Sequence, residues 1–164
     1  MRRIRMIIFV LGAVTCNYTM ASDGRIDYPI EIVDPWQTVL NQDGVLIEYK
    51  VQECNNLNVK NQVLVLFRFT NESSAMKTLH WSVKEFRNGD CTNCDRLEAQ
   101  EFIHSMTMSP GQVIEGDGTS KMDKRIYLFS HFIELVPGMT NQTLTDFEFV
   151  NLNVQTLQTD GNDK

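Results

Sequence analysis

Val63-Leu64-Val65-Leu66-Phe67-Arg68-Phe69-Thr70 is the stretch whose reading decides the fold. Val63, Val65, Phe67 and Phe69 fall on one phase of a two-residue repeat, the side-chain period of a β-strand. Leu64 and Leu66 occupy the other phase, so this strand is expected to be covered on both faces over half its length. Outward from it the same period recurs. In Val45–Cys54, Val45, Ile47, Tyr49 and Val51 oppose Glu48, Lys50 and Gln52. In Lys77–Arg87, Leu79, Trp81 and Val83 alternate with His80, Ser82 and Lys84. Glu101–Met108 and Gln112–Glu115 are shorter strand candidates, and Arg125–Ile133 is strongly apolar. In Leu144–Gln155, Phe147 and Phe149 share one phase while Leu152 and Val154 fall on the other. A one-residue bulge near Val150-Asn151 reconciles them.

The punctuation agrees with short strands. Thr70–Ser74 separates two of them, and Asn88-Gly89-Asp90 is a hairpin signal. Ser109-Pro110-Gly111 suits a type II turn. Gly116-Asp117-Gly118 and Pro137-Gly138 close further loops. Helical periodicity is confined to Asp95–Phe102 and to Asp34–Asn41, where Asp34 would cap a short helix and Pro35 would occupy its first turn. The expected fold is all-β: an immunoglobulin-like antiparallel β-sandwich of about seven or eight strands. Its expected divisions are a leader at 1–21, a segment at 22–43 leading into the domain, the sandwich at 44–156 and a flexible tail at 157–164.

The leader rests on Arg2, Arg3 and Arg5 ahead of the apolar run Met6–Thr15, which is the pattern of a cleavable signal peptide. That run falls short of the roughly 20 apolar residues a membrane-spanning helix requires, so no span is expected after the signal is removed. Thr19-Met20-Ala21 places cleavage between Ala21 and Ser22. The alternative is a bacterial lipoprotein box, Ala13-Val14-Thr15-Cys16, with Cys16 lipidated as an anchor. The expected location is periplasmic or extracellular, or membrane-anchored under the alternative. The whole chain carries a net charge of −6, and loss of residues 1–21 leaves 12 basic against 21 acidic residues, or −9. That balance repels phosphate and argues against nucleic acid and anionic membrane surfaces as partners.

Cys91-Thr92-Asn93-Cys94 is the sharpest local feature. In an exported chain it reads first as a structural disulfide, either Cys91–Cys94 or one of these with Cys54. A bridge to Cys54 would close a loop of about 37–40 residues, worth about 3–4 kcal/mol in the chain-entropy account. A redox-active pair is a second reading, although the βαβ surroundings of a thioredoxin-like motif are missing. A third is zinc held by Cys54, Cys91 and Cys94 with one of His80, His104 or His131. Strict alternation puts Cys54 on the polar phase of its strand. Either form of signal processing leaves three cysteines in the domain, so at least one is free, metal-bound or paired between chains.

Other residues carry plainer readings. His80 should face outward beside Trp81, and His131 should be satisfied among apolar neighbours. Asp123-Lys124-Arg125 reads as a solvated charged turn. Glu115 and Asp117 would bind calcium only weakly, since no EF-hand spacing accompanies them. Trp36, Tyr28 and Tyr127 are read as core or rim packing before binding surface. Asn17, Asn71 and Asn141 begin N-x-S/T sequons. No Ser/His/Asp set, HExxH, P-loop or GxGxxG pattern is present.

The order of motifs resembles an uncharacterised family of small exported proteins of Bacteroidetes, particularly flavobacteria. It is carried by Asp43-Gly44-Val45, Glu48-Tyr49-Lys50, Glu53-Cys54, Val63-Leu64-Val65, Phe69-Thr70-Asn71, Trp81 and Asn88–Cys94. Ser109-Pro110-Gly111, Glu115-Gly116, Leu128-Phe129-Ser130 with Phe132, and Leu144–Leu152 continue it, over roughly residues 36–154. The resemblance implies the fold and export, and no activity. Members often carry a further cysteine after the Glu-Gly pair, where this chain has Asp117-Gly118, so it leaves the cysteine pairing open. The function expected is a non-catalytic binding or envelope-associated module without cofactor, its partner a protein or envelope component. The alternative is a periplasmic thiol-redox or zinc protein using the Cys91/Cys94 loop.

Overall fold

Alternating apolar residues bury one face of a strand only if a second sheet covers it, and the chain solves this with two antiparallel sheets packed as a sandwich. The computed structural model describes residues 25–26, 33–55, 61–119, 123–140 and 142–157. The signal segment with Cys16, Ala21 and Ser22, Asn17, Tyr28, Asn141 and residues 158–164 lie outside them. One sheet contains β1 (Arg25–Ile26), β10 (Leu144–Thr156), β5 (Lys77–Arg87) and, along the far edge of β5, β6 (Asp90–Cys91) and β7 (His104–Met108). The other contains β2 (Val33–Gln42), β3 (Val45–Cys54), β4 (Gln62–Asn71) and, along the far edge of β4, β8 (Val113–Glu115) and β9 (Tyr127–Phe132).

The inward phases of β3, β4, β5 and β10 meet as read from their sequences. Val45, Ile47, Val65, Phe67, Phe69, Leu79, Trp81, Phe147 and Phe149 are buried in one core. Phe67 lies 5.3 Å from Phe147 and 5.0 Å from Phe149 in edge-to-face contacts, and Phe69 lies 5.0 Å from Trp81. Aromatic pairs across two sheets combine large buried area with favourable quadrupole geometry. The outward phase of β4 is also buried. Leu64 and Leu66 join Cys54 in a second cluster on the outer face, with Trp36, Tyr127 and Phe129 packed against it.

The bulge in β10 falls where the phase conflict required it. Val150 pairs with Ser82 and Asn153 with His80, so β10 carries one extra residue, and Asn151 takes a positive φ of 55°. Leu152 and Val154 thereby return to the core side. Asn88-Gly89 links Arg87 to Asp90 with positive φ at both positions, the geometry of a type I′ hairpin. In the Ser109-Pro110-Gly111 turn, Gln112 donates to the Ser109 carbonyl at 3.0 Å and Gly111 has φ 69°.

Two expectations are corrected. Asp34–Asn41 is not a helix: it lies within β2, paired with β3 from Val33↔Val51 to Gln42↔Val45. Two register irregularities in that pairing break the period of two, which is why Trp36, Val39 and Leu40 imitate helical spacing. Asp95–Phe102 forms only a single 3₁₀ turn at Gln100–Phe102, with no buried residue to hold a longer helix.

Asn71, the second sequon asparagine, is fully buried at the end of β4. Its amide donates to the carbonyls of Ala75 at 2.8 Å, Ser109 at 3.0 Å and Met108 at 3.2 Å. Its Oδ1 accepts from the Ser73 amide at 3.0 Å and hydroxyl at 2.7 Å. The side chain ties two loops to β4 and is spoken for, so it is no glycan acceptor in the folded domain. Asn71→Ala would strand several buried polar groups, and a loss of about 2–3 kcal/mol is expected. Urea unfolding checks this; a loss below about 0.5 kcal/mol, the range of an ordinary surface change, contradicts the assignment.

Candidate functional site

The Cys91-Thr92-Asn93-Cys94 loop starts where a strand stops. On the far edge of β5, β6 pairs with Phe86 and Arg87, and β7 pairs with Lys77 through Trp81. Between them Ser82–Glu85 have no strand partner on that edge, and backbone groups so placed must be paired. The loop supplies the pairing. Glu85 N–H donates to Asn93 Oδ1 at 2.9 Å, and Asn93 Nδ2 donates to the Val83 carbonyl at 2.8 Å. The Thr92 amide and hydroxyl both donate to the Glu85 carbonyl, at 2.8 and 3.1 Å. The Asn93 carboxamide thus stands in for a peptide unit of the missing strand, and at 3% exposure it is part of the core. A Cys91–Cys94 disulfide closes around it, with the Cα atoms 5.8 Å apart. Of the pairings left open by sequence, this is the one formed.

Cys54 is a free, buried thiol in the opposite sheet. The phase assigned to it holds, since it shares its side of β3 with Lys50 and Gln52, but that side is apolar at this end of the strand. Burial pushes its pKa up, against a smaller opposing effect from Lys50. It lies against Gly118. A Cβ on Gly118 would come within 2.7 Å of Cys54 Sγ, and Gly118 has φ +73°.

The zinc set is not assembled. Cys91 and Cys94 are bonded to each other at the edge of one sheet, and Cys54 ends β3 in the other. Among the described residues no group of three His, Cys, Asp or Glu side chains is placed to hold a metal, including Glu115 and Asp117. His80 is exposed, and His131 is half-buried with its Nδ1 3.0 Å from the Ser130 hydroxyl. His104 is half-buried with its ring 5.5 Å from that of Trp81. Burial lowers its pKa, Arg125 lowers it further and Asp123 opposes. The Asp123–Arg125 turn is more than a solvated charge cluster. Asp123 accepts from the Arg125 amide at 2.9 Å, and the Arg125 guanidinium binds both Asp123 and the Ser105 carbonyl of β7, strapping the two sheets together.

Trp36 and Tyr127 pack on the outer cluster as expected. Trp36 is flanked by Lys50 at 4.8 Å and Arg68 at 4.7 Å, and Arg68 binds the largely buried Glu48 at 2.7 Å. The guanidinium hydrogen bond to Glu48 raises the pKa of Arg68.

The most ligand-like features sit at one end of the sandwich and escaped the sequence reading. Arg87 reaches from β5 to β9, donating to the carbonyls of Phe129 at 2.7 Å, Ser130 at 3.0 Å and Gln142 at 3.1 Å, while Glu85 neutralises it at 3.0 Å. Arg87, Phe129, His131, Phe132, Thr140 and Gln142 line an open pocket of about 370 Å³. Beside it the β9–β10 loop holds out Ile133, Leu135, Val136 and Met139, each 40–58% exposed. The loop is not slack. Asn61 grips its base, accepting from Ile133 and Glu134 and donating to the Glu134 carbonyl at 2.6 Å. Its tip is a turn in which Met139 donates to the Val136 carbonyl at 3.1 Å and Gly138 has φ 91°. The only sequence signal was a run of apolar residues around Pro137-Gly138.

No family model matches the chain, and no curated protein does. Among solved structures, the Salmonella enterica trimeric lipoprotein SadB aligns at 10% identity with a TM-score of 0.26. The alignment covers 72% of this chain and 56% of that one. Likeness at this level transfers neither fold nor role.

Gly118→Ala forces both a clash with Cys54 and an unfavourable φ, and a loss of about 1–3 kcal/mol is expected. Combining it with Cys54→Ala should cost less than the sum of the two single changes by at least about 0.5 kcal/mol; strict additivity in urea melts would disprove the contact. A second expectation concerns acid. The lowered pKa of folded His104 means that the unfolded chain binds a proton first, so stability is full above the ordinary histidine value of 6.5 and declines as pH falls below it. Asp123, held low by its Arg125 hydrogen bond, adds loss in the same direction at still lower pH. The urea midpoint should drop between pH 7.5 and 5, and His104→Gln should flatten that drop; an identical slope in the variant would refute it.

Proposed function

We propose that this chain is an exported, non-catalytic binding module that engages a protein or envelope component through the sandwich end bearing the 133–139 loop. The observation that carries this reading is the loop itself. Four large apolar side chains stand in solvent on a turn whose base is fixed by three hydrogen bonds to Asn61. Exposed apolar side chains have no reason to be held rigidly unless something covers them, and clusters of this kind mark interaction surfaces. Preorganisation lowers the entropy lost on binding. The neighbouring pocket, floored by Phe129 and Phe132, extends the same surface. Export is supported by the arginines and apolar run at the N-terminus and agrees with an oxidised Cys91–Cys94 pair. The surplus of acidic residues favours a protein surface over nucleic acid or anionic lipid.

The alternative, a periplasmic thiol-redox protein on the Cys91/Cys94 loop, has one feature in its favour: Cys94 is exposed. Against it, the loop's buried asparagine is committed to completing a sheet. The test places a photo-crosslinking residue at Val136 and, as a control, at Val113, which is equally apolar and exposed but lies at the opposite end of the sandwich. In intact cells of the native host, a discrete adduct is expected from Val136, absent from Val113 and lost when Leu135→Ser is added. Equal adducts from both positions, none from either, or catalytic turnover in a disulfide-reductase assay would overturn the reading.

A further inference from the structure

We propose that the Cys91–Cys94 disulfide is a redox latch, whose reduction withdraws Asn93 from β5 and bares the sheet edge at Ser82–Glu85 while the sandwich stays folded. The inference goes beyond the binding role above and does not depend on it. Three observations meet here. The Asn93 carboxamide bridges the interval between β6 and β7, bonding Glu85 N–H and the Val83 carbonyl, while neighbouring Thr92 caps the Glu85 carbonyl. The disulfide encloses Thr92 and Asn93, so it fixes the short backbone segment from which the amide projects. Cys94 is exposed while Asn93 is buried, so a reductant can reach the sulfur without the core opening first. Exposed disulfides are the exchangeable ones.

The chemistry is thiol–disulfide exchange with a dithiol reductant. Its thiolate attacks Cys94 Sγ, the Cys91–Cys94 bond breaks, and Cys91 leaves as a thiolate that takes up a proton. The reductant's second thiol then displaces Cys94 from the mixed disulfide. Two electrons and two protons pass to the protein, and the reductant leaves as its own disulfide. Cys54 takes no part, since it is buried in the other sheet and its pKa is raised. With the covalent ring open, Cys94 is no longer tied to Cys91 at the end of β6, and Thr92 and Asn93 hold their places on β5 by hydrogen bonds without that constraint. The bonds of Thr92 and Asn93 then have to offset the whole entropy of ordering the loop.

Amide hydrogen exchange on the full domain, with and without dithiothreitol, tests the latch. Glu85 N–H should exchange at least about tenfold faster after reduction, while Val65 and Phe67 in the core keep their rates. Native-state alkylation of the reduced protein should then add two labels, at Cys91 and Cys94, and leave Cys54 unmodified. Asn93→Ala should give the fast Glu85 rate with the disulfide intact, and reduction should then add nothing. A Glu85 rate unchanged by reduction overturns the proposal. So does core exchange accelerating in step with Glu85, or labelling of Cys54, because either means that the disulfide holds the whole fold and not a local plug.

Discussion

The sandwich depends on one constraint, that the buried backbone groups of its two central strands must all be paired. β4 and β5 each have one continuous neighbour, β3 and β10, and one interrupted neighbour. β8 and β9 follow the same edge of β4, meeting Arg68–Thr70 and Gln62–Leu66 in turn, and the Gly116 amide closes the seam on the Phe67 carbonyl at 2.9 Å. β6 and β7 do the same for β5, but their seam is wider: the Thr92 amide reaches the Glu85 carbonyl at 2.8 Å, and among the described residues no main-chain group meets Glu85 N–H or the Val83 carbonyl. A side chain does. Asn93 is the right chemistry for the place, because a carboxamide presents the same donor and acceptor as a peptide group.

The interruptions explain where this domain keeps its unusual residues. Each split edge throws out a loop, and each loop returns to brace the sandwich at a distance from its own strand. The loop between β8 and β9 brings Gly118 onto Cys54 and Arg125 onto Ser105 in the opposite sheet. The loop between β6 and β7 carries the disulfide and its asparagine plug. Asn71 performs a related task at the far end of β4, and Asn61 at the base of the 133–139 loop. Three asparagines, Asn61, Asn71 and Asn93, are fasteners between separate segments of the chain.

That pattern also sets how far the sequence was legible. Val45–Cys54 and Lys77–Arg87 could be bounded to the residue, because a strand buried on one face advertises its period and nothing competes with it. The double burial of Val63–Leu66 was visible in the unbroken apolar run, and the β10 bulge in its change of phase. β2 was misread because two register irregularities scramble the alternation, and because Asp34-Pro35 is good helix-start chemistry that tertiary pairing overrides. The CxxC loop was recognisable as a site, yet its centre was not. What Asn93 does is decided by the gap opposite Val83 and Glu85, and a gap between two strands leaves no mark in either of them.

The three cysteines then divide along physical lines. Cys54 belongs to an apolar cluster, where burial outweighs the pKa-lowering effect of Lys50, and packing against Gly118 occupies the sulfur. A thiol so placed behaves as a small hydrophobe. Cys91 and Cys94 sit at an edge where sheet hydrogen bonding has already failed, and their bond compensates by holding a substitute in place. The odd cysteine and the paired ones therefore answer different needs, volume in one sheet and a missing hydrogen-bond partner in the other. A metal or relay linking all three would have to dismantle both arrangements, including the buried carboxamide on which the edge of β5 relies.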